Sequence, residues 1–400
     1  MSRRYFLLIA LLLLAGPAMA AGATAERSIL LIIDGLHQDA PQKADMPVFN
    51  RLAKEGTLVK SLALIAPEHP HQGQYAKFQT CAIPNVMLLA GSFFIPPDVR
   101  YMQHLFFPKY LTAHGVNEMS YQSIDRNMCL SNLNPNISDE QMLEWAADTQ
   151  KKNDVKFMLL HLQNVGEAGI RCSHRGQGQP WDKNIFGEGS PYLAQLAKTD
   201  AAVGRFIDDL KAMGKWDGTL LVISADHGQA IGGFHPALSA DAQHTAAVFV
   251  GPGVKQGGVV AHADQIDLVP TMCALMGVDA PNPGPGCGLV LEEVKAGAPD
   301  TPTRKDSPCE TYNRQFRDYL EVQARLNEKA LKDPTYSSAV AALEMNFMTI
   351  QQVLDWNQAK TVEDFLARNQ RAIDQARARI KDPRAGWGAP PNPAGRKRDR

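Results

Sequence analysis

Leu220-Leu221-Val222-Ile223-Ser224-Ala225 is an apolar run that stops abruptly on Asp226, His227 and Gly228. A carboxylate beside an imidazole is a donor pair suited to zinc or a similar divalent cation. A second run, Ser28-Ile29-Leu30-Leu31-Ile32-Ile33, stops in the same way on Asp34-Gly35. Either motif taken singly is explained by a strand-terminal turn with a solvated Asp. Two of them predict ligands that converge, because neighbouring strand tips in a parallel sheet lie only about 5 Å apart.

Each run is too short for most helices and fits a buried strand, with a glycine to end it. Asp34, Asp226 and His227 are therefore expected at the carboxyl ends of strands, the edge at which open α/β sheets bind ligands. Further strands are predicted over 58–66, 155–162 and 245–250, and helices over 46–55, 81–91, 192–213 and 266–276. The stretch after 162 that contains Gly166, Gly169, Gly176 and Gly178 reads as a loop. Alternation of strands and helices predicts an α/β fold with a mainly parallel sheet sandwiched by helices. From Tyr312 to Lys381 three helix-period stretches, broken at Asp333-Pro334, predict a helical C-terminal region without chemistry of its own.

The first twenty residues have the form of a targeting segment: Arg3 and Arg4, an apolar core, then the small-x-small site Ala18-Met19-Ala20. Ser2-Arg3-Arg4-Tyr5-Phe6-Leu7 also fits a twin-arginine signal, whereas the Leu-rich core fits the general secretory route, and both stay open. Either predicts an exported, periplasmic protein with no stable membrane span after cleavage. The expected organisation is a signal peptide at 1–20, an α/β catalytic domain at 27–295, the helical region at 305–383 and a Pro-rich basic tail at 384–400. With 44% hydrophobic and 21% charged residues the chain is composed as an ordinary globular protein, and a net charge of -1 argues against a nucleic-acid partner. The six cysteines allow fifteen pairings. Cys273 and Cys287, flanking a Gly/Pro-rich turn, are the simplest, and no Cys-x-x-Cys zinc knuckle is present.

The order of these motifs resembles the alkaline phosphatase superfamily, which includes sulfatases and nucleotide pyrophosphatase/phosphodiesterases. Ile33-Asp34-Gly35 is similar to the family's first metal aspartate, and Ala225-Asp226-His227-Gly228 to its Asp-His pair. Gln243-His244-Thr245, with Gly251-Pro252-Gly253 and Asp267-Leu268-Val269-Pro270-Thr271 after it, is similar to the segment of the last metal histidine. The resemblance spans roughly Ser28 to Gly277. It implies that Asp34, Asp226 and His227 hold one Zn2+, with Ca2+, Mg2+ or Mn2+ as other divalent possibilities, and that His244 belongs to a second site.

It also implies a nucleophile at the start of a helix, activated by the metal and by the helix N-terminus. Spacing from Gly91 selects Cys81, chemistry favours the alkoxide of Thr80, and spacing from Pro84 selects Ala82, which is inert; Thr80 and Cys81 both stand. The formylglycine signal of ordinary sulfatases, Pro two residues after Cys and Arg two beyond, is missing from Cys81-Ala82-Ile83-Pro84-Asn85. Asn85, Arg126 and Arg171 are candidates for contacting an anionic ester. For the second metal, Gln163 stands where the family carries an acid, so Glu167 and His174 are the expected replacements, with Cys172 as an alternative to His174. The function implied is an exported metal-dependent hydrolase of small phosphate esters working through a covalent phosphoenzyme. The alternatives are a sulfatase-like hydrolase without formylglycine and a degenerate binding member.

Overall fold

The computed structural model describes residues 24–64, 72–81, 87–89, 92–94, 99–106, 108–119, 121, 130–284, 287–347, 362–382 and 385. The expected signal peptide lies outside them, as do all but Ala385 of the proposed tail.

The first apolar run forms β1 (Arg27–Ile33), followed by α1 (Ala40–Lys43) and α2 (Pro47–Glu55), then β2 (Thr57–Ala63) and α3 (Gln72–Thr80). Two short strands, β3 (Met87–Leu89) and β4 (Ser92–Phe94), pair with each other, and β5 (Leu111–Val116) and β6 (Leu130–Leu133) follow. Next come α4 (Asp139–Lys152), β7 (Val155–Leu162), α5 (Asn164–Arg175) and α6 (Pro191–Ala212). The second apolar run forms β8 (Thr219–Ser224), followed by β9 (His244–Val250), β10 (Gly258–Val260), β11 (Ala263–Asp264) and α7 (Leu268–Leu275). Three helices close the described chain: α8 (Pro308–Ala330), α9 (Ser337–Asn346) and α10 (Val362–Lys381).

One sheet runs in the order β10-β2-β9-β8-β1-β7-β5-β6, with β11 continuing β10 along β2. Every pairing in it is parallel except those of β9, which is antiparallel to both β2 and β8. Alternation along β1 divides the core between the two faces. Leu30 and Ile32 pack with Tyr75 and Phe78 of α3 and with Leu268 and Met272 of α7. Ile29, Leu31 and Ile33 pack with Phe49 of α2, Met142 of α4 and Leu196 and Phe206 of α6. Burial on both faces is why the central strands read as continuous apolar runs. The C-terminal helices form a third cluster around Tyr312, Tyr319, Phe347 and Phe365, which reaches the sheet through Ala63 and Ile266. Helix starts follow local chemistry: Ser190 and Ser307 each cap a helix that opens on proline, and Ser138 with Gln141 makes a capping box.

Two sequence expectations are corrected. The helix predicted over 81–91 is overturned where its residues are described: α3 ends at Thr80, and Met87–Leu89 is a strand that pairs antiparallel with Ser92–Phe94. The glycine taken as a helix stop lies between two apolar runs that pair as strands. The stretch after β7 is the helix α5 rather than a loop. Its glycines answer to close packing, since a Cβ on Gly169 would lie 2.4 Å from Gln229 Nε2.

Candidate metal centre

β1 and β8 are neighbours in parallel register, with Ile32 opposite Ser224. Continuing each strand by two residues brings Asp34 and Asp226 out side by side, and His227 follows at once. The ligand atoms of Asp34, Asp226 and His227 all lie within 4.8 Å of one another, and all three residues are buried. His227 Nε2 is 3.2 Å from Asp226 Oδ2 and 3.7 Å from Asp34 Oδ1.

The remaining hydrogen bonds fix how these groups face each other. His227 Nδ1 lies 2.7 Å from the carbonyl oxygen of Gly228, which can only accept, so Nδ1 carries a proton. In the neutral ring Nε2 then presents its lone pair to both carboxylates. Asp226 Oδ1 accepts from the backbone N–H of Gly35 at 3.3 Å and of His227 at 3.0 Å, which turns Oδ2 toward the imidazole. Three acceptors converging in a buried place repel one another unless a proton or a cation lies among them. A histidine whose second nitrogen donates to a carbonyl is also the arrangement that orients a metal-binding imidazole. The donor set fits a divalent cation.

The surrounding backbone is shaped to leave this space. Gly166, in the first turn of α5, lies against Asp34, and a Cβ there would be 1.9 Å from Asp34 Oδ1. Gly35 takes a φ of 65°, and Tyr192 holds the turn after Asp34 by donating to Gly35 O at 2.8 Å and accepting from His37 N at 2.9 Å. Gln265 Nε2 donates to the carbonyls of Ala225 and Asp226 at 2.7 and 3.0 Å, fixing the end of β8.

Several neighbours of the cluster carry no motif. His161 in β7 places Nε2 3.6 Å from Asp34 Oδ2, and its Nδ1 is 3.3 Å from the hydroxyl of Tyr121. Tyr121 stacks on Tyr75 at 4.0 Å between ring centroids. Burial first, then the charges of Asp226 and Asp34, push the ionisation of the Tyr75 phenol well up, so it stays neutral. Over His227 lies the ring of His235 at 4.3 Å, and Phe234 stacks on His235 at 4.7 Å. The one sequence signal among these is His161, a lone imidazole in the apolar run of β7.

Among the described residues, Glu167, His174 and His244, the donor set expected for a second metal, form no ligand cluster. His244, the first residue of β9, sets Nε2 3.1 Å from Glu310 Oε1 and Nδ1 2.8 Å from Ala240 O. Its partner thus comes from α8, in the region expected to carry no chemistry. Glu167 and His174 are exposed on α5 and Arg171 half-buried, all along one face of that helix. The ring of His174 meets that of Phe234 in a T-shaped contact at 6.3 Å. Thr80 is the last residue of α3, where its buried hydroxyl donates to Ala76 O at 2.8 Å. A helix C-terminus disfavours an alkoxide, so the expected activation by a helix N-terminus does not operate at Thr80 or at Cys81 just beyond it. Asn85 and Arg126 lie outside the described residues.

Residues 100–278, which include Asp226, His227 and His244, match the Sulfatase family model. Solved structures with a similar fold include BT1596, a 2-O GAG sulfatase, at 16% identity and a TM-score of 0.54 over 71% of this chain and 76% of that one. The phosphonate monoester hydrolase of Silicibacter pomeroyi is similar at 16% identity and a TM-score of 0.52, covering 70% and 78%. Murine ectonucleotide pyrophosphatase/phosphodiesterase 5, solved with AMP, is similar at 12% identity and a TM-score of 0.50, covering 65% and 97%. No curated protein sequence matches the chain. Residues 100–278 thus resemble the Sulfatase family, and the fold is the one shared by these sulfatase, phosphonate hydrolase and phosphodiesterase structures.

Proposed function

We propose that the protein is an exported, metal-dependent hydrolase of small phosphate or sulfate esters. The observation that carries this reading is the convergence of Asp34, Asp226 and the oriented Nε2 of His227 at one sheet edge. Two carboxylates and one imidazole suit Zn2+ or Mn2+ better than the all-oxygen sites preferred by Ca2+ and Mg2+. A divalent cation held there would draw charge from the ester oxygens and make a hydroxyl or water a better nucleophile. Asp34, Asp226 and His227 hold and orient. The Tyr75 phenol, neutral beside them, keeps its proton to donate. Thr80 and Cys81 are the candidate attacking groups, and Asn85, Arg126 and Arg171 the candidate contacts of the anion. His244, beside Glu310, is the candidate ligand of a second cation. The Arg-headed, Leu-rich start of the chain supports export.

A second reading, a family member that binds its ligand without turnover, is favoured by the bond of the Thr80 hydroxyl to Ala76 O. One experiment separates the two. The purified protein is assayed on aryl phosphate monoesters, phosphate diesters and sulfate esters, with metal content measured in parallel. The hydrolase reading expects turnover that chelation abolishes and added zinc restores. Bound metal with no hydrolysis of any of the three classes would support the binding reading. Hydrolysis that persists in the Thr80→Ala, Cys81→Ala double variant would exclude both side chains and leave water as the attacking group.

A further inference from the structure

Cys81 directs its Sγ to within 3.1 Å of the Sγ of Cys287, across 206 positions of sequence. Both are free thiols in the structure. The pairing differs from the one expected from the Gly/Pro-rich turn. Cys273 lies instead 3.6 Å from the Sδ of Met102, and Cys172 lies 3.4 Å from Ser190 Oγ. Cys81 takes a φ of 53°, a left-handed conformation that a non-glycine residue adopts only when its surroundings impose it. The two segments are already clamped without a covalent bond. Asn282 Nδ2 donates to Thr80 O at 2.6 Å and to Arg100 O at 2.7 Å, and its Oδ1 accepts from Arg100 N at 3.1 Å.

We propose that Cys81 and Cys287 are a disulfide-forming pair, closed by a protein or small-molecule disulfide oxidant, that ties the end of α3 to the segment around Asn282 and Cys287. The sulfurs must approach by only about 1 Å to reach the bond length of about 2.0 Å. The Asn282 hydrogen bonds already hold the end of α3 against this segment. The thiols differ in access: Cys81 is 4% exposed, whereas Cys287 is half-buried. Cys287 is therefore the first to react. Its pKa is lowered, chiefly by the hydrogen bond from Cys81, while that bond and burial push the Cys81 thiol well up.

The Cys287 thiolate attacks one sulfur of the oxidant disulfide and expels the other as a thiolate. The Cys81 thiol passes its proton to that thiolate, attacks Cys287 Sγ and expels the second oxidant sulfur. The pair loses two electrons and two protons, and the oxidant leaves as two thiols. The bond withdraws Cys81 from the candidate attacking groups and holds Thr80, its chain neighbour, in place.

Peptide mapping of the full chain tests this without reference to hydrolysis. Protein treated with oxidised glutathione is denatured, alkylated with iodoacetamide, digested and analysed by mass spectrometry before and after reduction. The expected result is a linked pair of peptides carrying Cys81 and Cys287, lighter by about 2 Da than the two thiol peptides, with Cys172, Cys273 and Cys309 alkylated. Alkylation of both Cys81 and Cys287, or a bond from Cys287 to Cys273, would overturn the proposal. Melting provides a second readout. Reductant should lower the midpoint of the wild type by several degrees and leave Cys287→Ser unmoved, with the reduced wild type and the variant melting together. Equal response of both proteins to reductant would count against the pair.

Discussion

His227 gives its Nδ1 proton to the carbonyl of Gly228, 2.7 Å away, and so commits its Nε2 to the two carboxylates. The tautomer follows from one backbone oxygen of the next residue. This bond predicts a downfield, slowly exchanging imidazole N–H resonance in the proton NMR spectrum, sheltered because His227 is buried. The resonance should be lost in His227→Gln. Its retention in that variant would assign it to another imidazole and undo the tautomer argument.

Gly166 tests how tightly Asp34 is framed. In an ordinary helix Gly→Ala gains up to about 1 kcal/mol from propensity. Here the added methyl would lie 1.9 Å from Asp34 Oδ1 and 2.6 Å from its Cγ, so the carboxylate must move. Gly166→Ala is expected to weaken metal binding by about 10–100-fold, as loss of an orienting partner does. Gly232→Ala, where nothing lies within 4 Å of the new Cβ, should leave it unchanged. Calorimetric titration with zinc checks both. Unchanged affinity in Gly166→Ala would mean that Asp34 does not ligate.

The Asp264 carboxyl is pushed up to about 7, first by burial and then by the charge of Asp267, against the opposing pull of Arg304. Its proton is thus held more tightly in the folded chain than in the unfolded one. The stability this contributes is complete below the ordinary carboxyl value of 3.8 and is lost as the pH rises through about 7. His262, lowered by burial, works in the opposite sense on the acid side. The comparison that isolates Asp264 is with Asp264→Asn. Between about pH 4 and about pH 7 the wild type should lose, relative to the variant, on the order of a few kcal/mol. Denaturant melts at several pH values check this, and parallel pH profiles of the two proteins would contradict it.

Arg304 grips Asp267 with a two-point fork, Nε to Oδ2 at 3.0 Å and Nη2 to Oδ1 at 2.6 Å, with Asp264 Oδ2 3.6 Å from Nε. Its removal leaves buried carboxylates without their cation. Arg304→Ala is expected to destabilise the protein by about 3–5 kcal/mol. Lys332→Ala, which breaks an exposed pair with Glu328, should cost less than about 1 kcal/mol. Equal unfolding midpoints for the two variants would show that the Arg304 fork contributes no more than a surface pair.

The strand tips of the site were legible because burial on both faces makes β1, β7 and β8 continuous apolar runs, which Asp34 and Asp226 interrupt. The parallel class and the three C-terminal helices followed from the same periodicity. The reversed direction of β9 left no mark, since an apolar strand reads alike in either sense. The helix α5 was hidden by Gly166 and Gly169, whose small size answers to Asp34 and Gln229, residues remote in sequence. His235 and Glu310 were invisible for a related reason. Each reaches its partner, His227 or His244, through the tertiary fold rather than through a spaced motif. The hairpin of β3 and β4 was misread because an apolar run beside a glycine suits a helix end and a strand end equally.

If Asp34, Asp226 and His227 together hold a divalent cation, removing one of them must empty the site. Elemental analysis of the wild type and of Asp226→Ala, each loaded with zinc and exhaustively dialysed, tests it most directly. At least about one ion per chain is expected in the wild type, lost from this site in the variant because too few donors remain, with circular dichroism unchanged. Equal metal content in the two folded proteins, or no retained metal in the wild type, would contradict it.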